Sequence, residues 1–193
     1  MLGRLKGIDI RSVGSGNAGG TNALRTQGFG FALGVMLIDI GKGFIAPWLL
    51  PTMALPGVPL DPAVSREWLL LACAGASVYG HCYPVWFGFR GGKGAATAVG
   101  AMLAVAPSLL IPAGIVWVAV LVLTGYVGLS TMLAGGIMPV WQFVSKGLSD
   151  VPMLCFLLAL AAFVVYTHRS NIRRLANGEE GRMEKARVLR RSR

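Results

Sequence analysis

Three short polar clusters interrupt an otherwise apolar sequence, and each is built from residue types that hold anions. The first is Gly14-Ser15-Gly16-Asn17-Ala18-Gly19-Gly20-Thr21-Asn22-Ala23-Leu24-Arg25, with four glycines, two hydroxyl residues, two asparagines and an arginine in twelve positions. Glycine lets backbone N–H groups approach an anion, and the Ser, Thr and Asn side chains add donors. Arg25 offers a rigid fork suited to phosphate. The competing reading is a flexible glycine-rich linker. The second cluster is Gly88-Phe89-Arg90-Gly91-Gly92-Lys93-Gly94, just before an apolar run that begins at Ala95. A helix opening there presents unpaired N–H groups and its positive dipole end, and Lys93 adds a full charge. This is not a Walker A loop. Three residues rather than four separate Gly88 from Gly92, and Gly94 stands where Ser or Thr is needed, which argues against a nucleotide triphosphatase. Its competing reading is a basic turn at the membrane interface.

The third cluster is His168-Arg169-Ser170-Asn171-Ile172-Arg173-Arg174-Leu175, at the end of the last apolar run. At helical spacing His168, Asn171 and Leu175 share one face, and Arg169 and Arg173 share another. Basic residues at a helix C-terminus suit the dipole and anionic headgroups, but His168 and Asn171 exceed what that requires. Other candidates carry less weight. His81, in Gly80-His81-Cys82-Tyr83-Pro84, reads as a residue that orients the adjacent loop. Trp86 stands five positions after it, so the His-x4-Asp pattern of the large acyltransferase superfamily is absent. Asp39 and Lys42, three apart within an apolar run, can pair on one helix face. Ionisable groups at that depth are functional suspects, and an ion pair bracing the clusters is the competing reading. Two histidines and three unpaired cysteines (Cys73, Cys82, Cys155) give no metal-binding spacing.

The elements that position these clusters must be membrane helices. The chain has 193 residues, of which 54% are hydrophobic and only 13% charged, with a mean hydropathy of +0.64. A soluble domain of this size carries about 25% charged residues, so lipid rather than water covers much of this surface. Disordered chains are poor in apolar residues and are excluded by the same numbers. The 18 basic residues against 8 acidic, a formal +10, follow the excess of Lys and Arg on the cytoplasmic side of membrane proteins rather than a nucleic-acid partner.

A crossing takes about 20 apolar residues as helix. Phe29 to Leu50, ending before Pro51, and Trp68 to Phe87 are two such runs, and Val151 to Thr167 is the last. Between them, Ala95 to Ser145 holds no Asp, Glu, Lys or Arg and would span roughly 75 Å as helix, more than two crossings. Pro107 and the Thr124-Gly125-Tyr126 corner are its predicted breaks. A turn at Pro107 gives six passes with both ends cytoplasmic. Arg4, Lys6, Arg11, Arg25, Arg90, Lys93, Arg169, Arg173, Arg174 and the basic tail then lie inside, and only Arg66 and Lys146 outside. An unbroken helix through Pro107 would erase that asymmetry, so the broken version is preferred. All three clusters then fall on the cytoplasmic face. The predicted fold is all-α, a polytopic integral membrane helical bundle of six membrane helices. It forms a single domain over residues 1–175, followed by a basic cytoplasmic tail over 176–193. Met1 to Gly28 shows no secretory signal pattern. No internal repeat is visible.

Three motifs carry a family resemblance. Gly14-Ser15-Gly16-Asn17 with Thr21-Asn22 and Arg25 forms the first. Gly80-His81 through Pro84 to Gly91-Gly92-Lys93-Gly94 and Ala96-Thr97 forms the second. His168-Arg169-x-Asn171-Ile172 followed by Gly178-Glu179 forms the third. In order, spacing and intervening spans the chain resembles the PlsY family of bacterial acyl-phosphate:glycerol-3-phosphate acyltransferases up to its tail. The family usually has seven spans, and this chain begins where the first would end. Ala18 and Gly20 stand where Pro and Ala are commoner, and the tail from Arg182 to Arg193 extends past the family core.

The resemblance implies transfer of a fatty acyl group from acyl phosphate to glycerol 3-phosphate, giving lysophosphatidic acid and phosphate in the first acylation of phospholipid biosynthesis. Both substrates carry phosphate, as the clusters require, and the acyl chain needs access to lipid. Carried over by motif position, Ser15, Thr21 and Lys93 are the implied catalytic residues. Gly14, Gly16, Asn17, Asn22, Arg25, Gly91, Gly92, Gly94, Thr131 (or the adjacent Ser130), His168 and Asn171 are the implied substrate-binding residues. The resemblance implies no cofactor and no metal. Its implied partners are the two substrates, membrane lipid and a soluble enzyme that produces acyl phosphate, and no nucleic acid. Its implied location is the bacterial inner membrane, with the site on the cytoplasmic face. Neither histidine has an acidic neighbour in sequence, so a substrate phosphate oxygen is the expected acceptor of the hydroxyl proton. A small anion transporter would also gather positive charge, but such proteins bind near the midplane between repeats.

Overall fold

The computed structural model describes residues 3, 7–53 and 66–186, with Lys185 by its backbone alone. Every regular element among the described residues is helical. The chain divides into two compact units that meet at Pro107, the predicted turn.

The first unit contains α1 (Gly20–Gln27), α2 (Phe29–Leu49), α3 (Arg66–Cys82) and α4 (Ala95–Val105). One-turn 3-10 helices at Leu50–Thr52 and Val85–Phe87 end α2 and follow α3. Phe29, Leu33, Met36, Leu37, Ile45 and Trp48 of α2 are exposed, as expected where lipid is the solvent. On α3, Leu71, Ala74, Val78 and Cys82 recur at helical spacing and are buried as one stripe. The apolar run expected to continue to Phe87 stops as helix at Cys82, because Pro84 has no N–H to continue the ladder.

Helices α2 and α4 pack backbone against backbone. A Cβ on Gly43 would strike the Thr97 carbonyl, and one on Gly100 would strike the Ile40 carbonyl, so small residues set the separation. Gly100→Val is expected to cost about 3 kcal/mol, since neither backbone has a flexible end to yield. Thermal unfolding in detergent reads this, and an unchanged midpoint would show that the crossing is looser than described.

The second unit opens with a 3-10 turn at Pro107–Leu109. It continues through α5 (Leu110–Thr124), α6 (Val127–Lys146), α7 (Val151–Thr167) and α8 (Arg169–Ala176). Gly125, at a φ of +77°, closes α5 at the predicted corner. Asp150 caps α7 by accepting the Met153 N–H at 3.1 Å, and Met153, Leu157, Leu160 and Val164 form its buried stripe. Helices α7 and α8 meet at a bend of 56°.

Helices α2 to α7 occupy the stretches predicted as six passes, but by length and composition fewer of them qualify as crossings. Three stretches, Phe29–Thr52, Pro107–Thr124 and Val127–Lys146, are long and apolar enough to cross a membrane unaided. The bent pair of α7 and α8 makes a fourth if it is one span. Helix α4 is about 17 Å long, short of a full crossing. The basic stretch Arg4 to Lys6 and the end of the tail, 187–193, lie outside the described residues.

Candidate active site

In the first unit the glycine-rich segment is wound around one amide. Asn22, 2% exposed, donates from Nδ2 to the carbonyls of Ile10 and Val13, both at 3.0 Å. Its Oδ1 accepts the Ser15 N–H at 2.9 Å. Both amide protons are therefore spent on backbone. Gly14 is required beside it: its φ is +61°, and a Cβ would collide with Asn22 Oδ1 and lie 2.8 Å from Thr26 Cγ2. Gly16, at a φ of +70°, completes the turn with its N–H on the Val13 carbonyl. The loop leaves Ser15 exposed and Asn17 and Thr21 half-buried. Arg25, also exposed, lies one turn beyond Thr21 on the same face of α1.

Arg11 ties this loop to the second cluster. Its guanidinium lies over the Phe87 ring at 5.3 Å and donates to the Phe87 carbonyl at 3.3 Å. It also pairs with Asp9 at 2.8 Å. Hydrogen bonding from Arg11 holds the Asp9 carboxyl down at about 2, so the pair stays ionised well into acid.

The second cluster is a tight return onto the end of α3. The chain reverses through Gly88 and Phe89, at φ of +61° and +58°. Gly91 N–H then bonds the Cys82 carbonyl at 3.1 Å, and Gly92 N–H bonds the His81 carbonyl at 3.2 Å. No side chain fits at Gly91, Gly92 or Gly94 of this return. A Cβ on Gly91 would strike the His81 carbonyl and lie 2.7 Å from Pro84 Cδ. One on Gly92 would run into the His81 ring, and one on Gly94 would lie 2.8 Å from Val78 Cγ1. Gly94, at a φ of +84°, caps α4 and accepts the Ala98 N–H at 2.7 Å. Half-buried Lys93 thus stands one residue before the positive end of α4. Ala18, Gly91 and Gly92 border one cavity of about 770 Å³, together with Arg11, Arg90, Asp39, Lys42 and His81. Of the implied site residues only Gly91 and Gly92 border this cavity; Ser15, Thr21, Arg25 and Lys93 are not among the residues that line it.

In the second unit His168 occupies the α7–α8 bend and is 5% exposed. Its Nδ1 lies 2.8 Å from the Val164 carbonyl. A carbonyl only accepts, so Nδ1 carries a proton and donates it to Val164. Asn171 is buried, with Nδ2 donating to Glu180 Oε1 at 2.6 Å. Gly128 makes room for it, since a Cβ there would come within 2.7 Å of Asn171 Nδ2. Glu180 also accepts from Arg174 Nε at 2.6 Å. The Ser130 hydroxyl donates to the Tyr126 carbonyl and that of Thr131 to the Val127 carbonyl, each four residues back. Thr131 in addition receives the Trp117 indole N–H at 3.3 Å, so it faces α5 whereas Asn171 packs on Gly128. The segment after α8 returns to the α5–α6 corner. Met183 N–H bonds the Gly125 carbonyl at 2.8 Å, and Arg182 Nε donates to the Tyr126 hydroxyl at 2.9 Å.

Sequence reading includes Arg174 in the third cluster but not its partner Glu180, and does not attach Arg11 and Asp9 to the first two. The signal for Glu180 is an acidic residue in a basic segment, one position beyond the Glu179 of the third motif.

A family model for glycerol-3-phosphate acyltransferase matches residues 1–178. A glycerol-3-phosphate acyltransferase of Aquifex aeolicus is 39% identical over 182 residues, covering 94% of this chain and 89% of its own. Another, of Thermosynechococcus vestitus, is 41% identical over 184 residues, covering 93% and 84%. The crystal structure of PlsY, an integral membrane glycerol 3-phosphate acyltransferase, is similar in its glycerol 3-phosphate form. It has a TM-score of 0.81 and 37% identity, covering 94% of this chain and 86% of that one. Its lysophosphatidic acid form has a TM-score of 0.78 and 36% identity, covering 94% and 85%.

Proposed function

The chain belongs to the glycerol-3-phosphate acyltransferase family and is an integral membrane protein. From that premise we propose that it moves a fatty acyl group from acyl phosphate to a hydroxyl of glycerol 3-phosphate, at the cytoplasmic face of a bacterial inner membrane. The observation that supports this reading is the Gly91–Gly94 return, where Lys93 directly precedes the cap and the opening amides of α4, a combination suited to an anion.

The reaction requires little covalent help from the protein. The glycerol hydroxyl oxygen bonds to the acyl carbon, the bond from that carbon to the phosphate oxygen breaks, and inorganic phosphate leaves. A phosphate oxygen of a bound substrate takes the hydroxyl proton, so no side chain need serve as base. Positioning and charge stabilisation then supply most of the acceleration. Lys93, Ser15 and Thr21 are assigned to the substrate phosphates and the developing oxyanion. Arg25, Asn17 and the N–H groups of Gly14 and Gly94 are assigned to substrate phosphates, whereas those of Gly16, Gly91 and Gly92 are spent on the Val13, Cys82 and His81 carbonyls and shape the loops instead. Asn22 organises the first of these loops. His168 and Asn171 are assigned to glycerol 3-phosphate; Thr131, in the same unit, is turned to Trp117 of α5. A soluble enzyme that makes acyl phosphate is the proposed supplier of the donor.

The test uses purified protein with palmitoyl phosphate and glycerol 3-phosphate, reading phosphate release and lysophosphatidic acid together. Palmitoyl thioesters serve as competing donors. Equimolar release and product from the phosphate donor alone is the expected result. Product from a thioester alone would overturn the donor assignment.

A further inference from the structure

Behind the Gly91–Gly94 return lie three ionisable side chains that the transfer chemistry does not use. Asp39 and Lys42 are one turn apart on α2, and His81 lies in the last turn of α3. Lys42 Nζ is 2.6 Å from Asp39 Oδ1 and 2.5 Å from His81 Nδ1, and His81 Nδ1 is 3.3 Å from Asp39 Oδ1. The Asp39 and His81 side chains are each 8% exposed and that of Lys42 is 40% exposed. Nδ1 lies within reach of both the Lys42 ammonium, which only donates, and the Asp39 carboxylate, which only accepts. Lys42 and Asp39 together therefore hold that edge of the imidazole and fix its tilt.

The far edge of that ring meets the loop. A Cβ on Gly92 would collide with His81 Nε2 and lie 2.8 Å from Cε1 and 3.2 Å from Cδ2. The three nearest neighbours of that position all belong to the ring. His81 also holds Gly92 through its carbonyl at 3.2 Å. The imidazole is thus a spacer between the ion pair on α2 and the backbone one residue before Lys93.

We propose that Asp39, Lys42 and His81 form a positioning triad, in which the ion pair orients the imidazole and the imidazole sets the height of Gly92. Lys93 and the amides opening α4 are thereby aimed at the phosphate of glycerol 3-phosphate. Charged groups within a membrane bundle are costly to retain, and here they brace the residues that meet substrate. The inference rests on the reading of this loop as a phosphate site.

The experiment is a set of double-mutant cycles read by equilibrium binding of glycerol 3-phosphate and by steady-state kinetics. Gly92→Ala is expected to weaken binding about 30-fold by displacing the ring, and His81→Ala about 10-fold. In the His81→Ala background, adding Gly92→Ala is expected to change binding by less than about 3-fold, because the new methyl then enters space the ring has left. Lys42→Met is expected to match His81→Ala and to add nothing to it. KM for glycerol 3-phosphate rises throughout, and kcat falls with it where Lys93 is displaced. If Gly92→Ala costs the same with and without the ring, the proposal is overturned. It is also overturned if Lys42→Met lowers the thermal midpoint without changing affinity. Should His81→Ala not fold, the coupling is read from Lys42→Met with Gly92→Ala. Binding is measured without an acyl donor. A wild type that binds glycerol 3-phosphate but does not consume acyl phosphate removes the donor assignment alone, whereas one that fails to bind removes the phosphate reading and the triad with it.

Discussion

Lys93→Met lowers kcat/KM for acyl transfer about 10³-fold, the effect expected when the charge facing a developing oxyanion is removed. Methionine keeps most of the apolar stem, so the half-buried side chain still fills its place beside α4. What is lost is a positive charge one residue before the Gly94 cap, where the free N–H groups of α4 already favour an anion. Dipole and ammonium act on the same phosphate, and neither replaces the other. Lys93→Arg keeps the charge but changes a compact ammonium into a planar fork, and is expected to recover only part of the rate. Turnover of folded protein, with folding checked by thermal unfolding, decides the matter. A loss below about 10-fold would place Lys93 outside the transition-state contacts and return it to the basic interfacial turn of the competing reading.

Glu180→Ala is the second large effect, and it acts through a neighbour. The buried carboxylate accepts from Asn171 Nδ2 and Arg174 Nε, both at 2.6 Å. Without it the Asn171 amide, buried at 7% exposure, loses that acceptor, while Arg174, about a third exposed, can turn towards water. The expected cost in stability is about 2 kcal/mol, at the lower end for breaking a buried pair because one partner can be rehydrated. The cost in activity is expected to be larger, about 10²-fold, since a rotated Asn171 no longer presents its carbonyl in one direction. Glu180→Gln keeps an oxygen for Asn171 and is expected to recover most of the activity, while Arg174→Ala is mild. Equal losses for Glu180→Ala and Glu180→Gln would show that the carboxylate charge, not the hold on Asn171, is what matters.

The spans were legible because they depend on composition and on breaks that need no partner. Pro107 and Gly125 interrupt helices for local backbone reasons, a missing N–H in one case and a positive φ in the other, and both breaks lie where the residues put them. The extent of α3 was misjudged for a related reason. Hydropathy runs on to Phe87, but Pro84 and the return of Gly91 onto Cys82 end the helix, and hydropathy carries no trace of a backbone hydrogen bond. The glycines of the clusters were read as open approaches for an anion. At Gly14, Gly91, Gly92 and Gly94 a more immediate constraint is a neighbour already in the space, such as Asn22, Pro84, His81 or Val78.

Sequence alone determined that this is a helical membrane protein, where its helices break, which three segments are suited to anions, and which family they resemble. These properties reside in residue type and spacing along one chain. Only the tertiary structure decided how donors are spent. Asn22 stands among the implied substrate ligands in the motif, but two carbonyls and an amide of its own loop occupy it. Neither histidine has an acidic neighbour along the chain, yet folding brings Asp39 to 3.3 Å from His81 across two helices. A side chain's hydrogen-bonding capacity is small and is divided among groups brought near by packing, so the division is settled in space, between residues tens of positions apart.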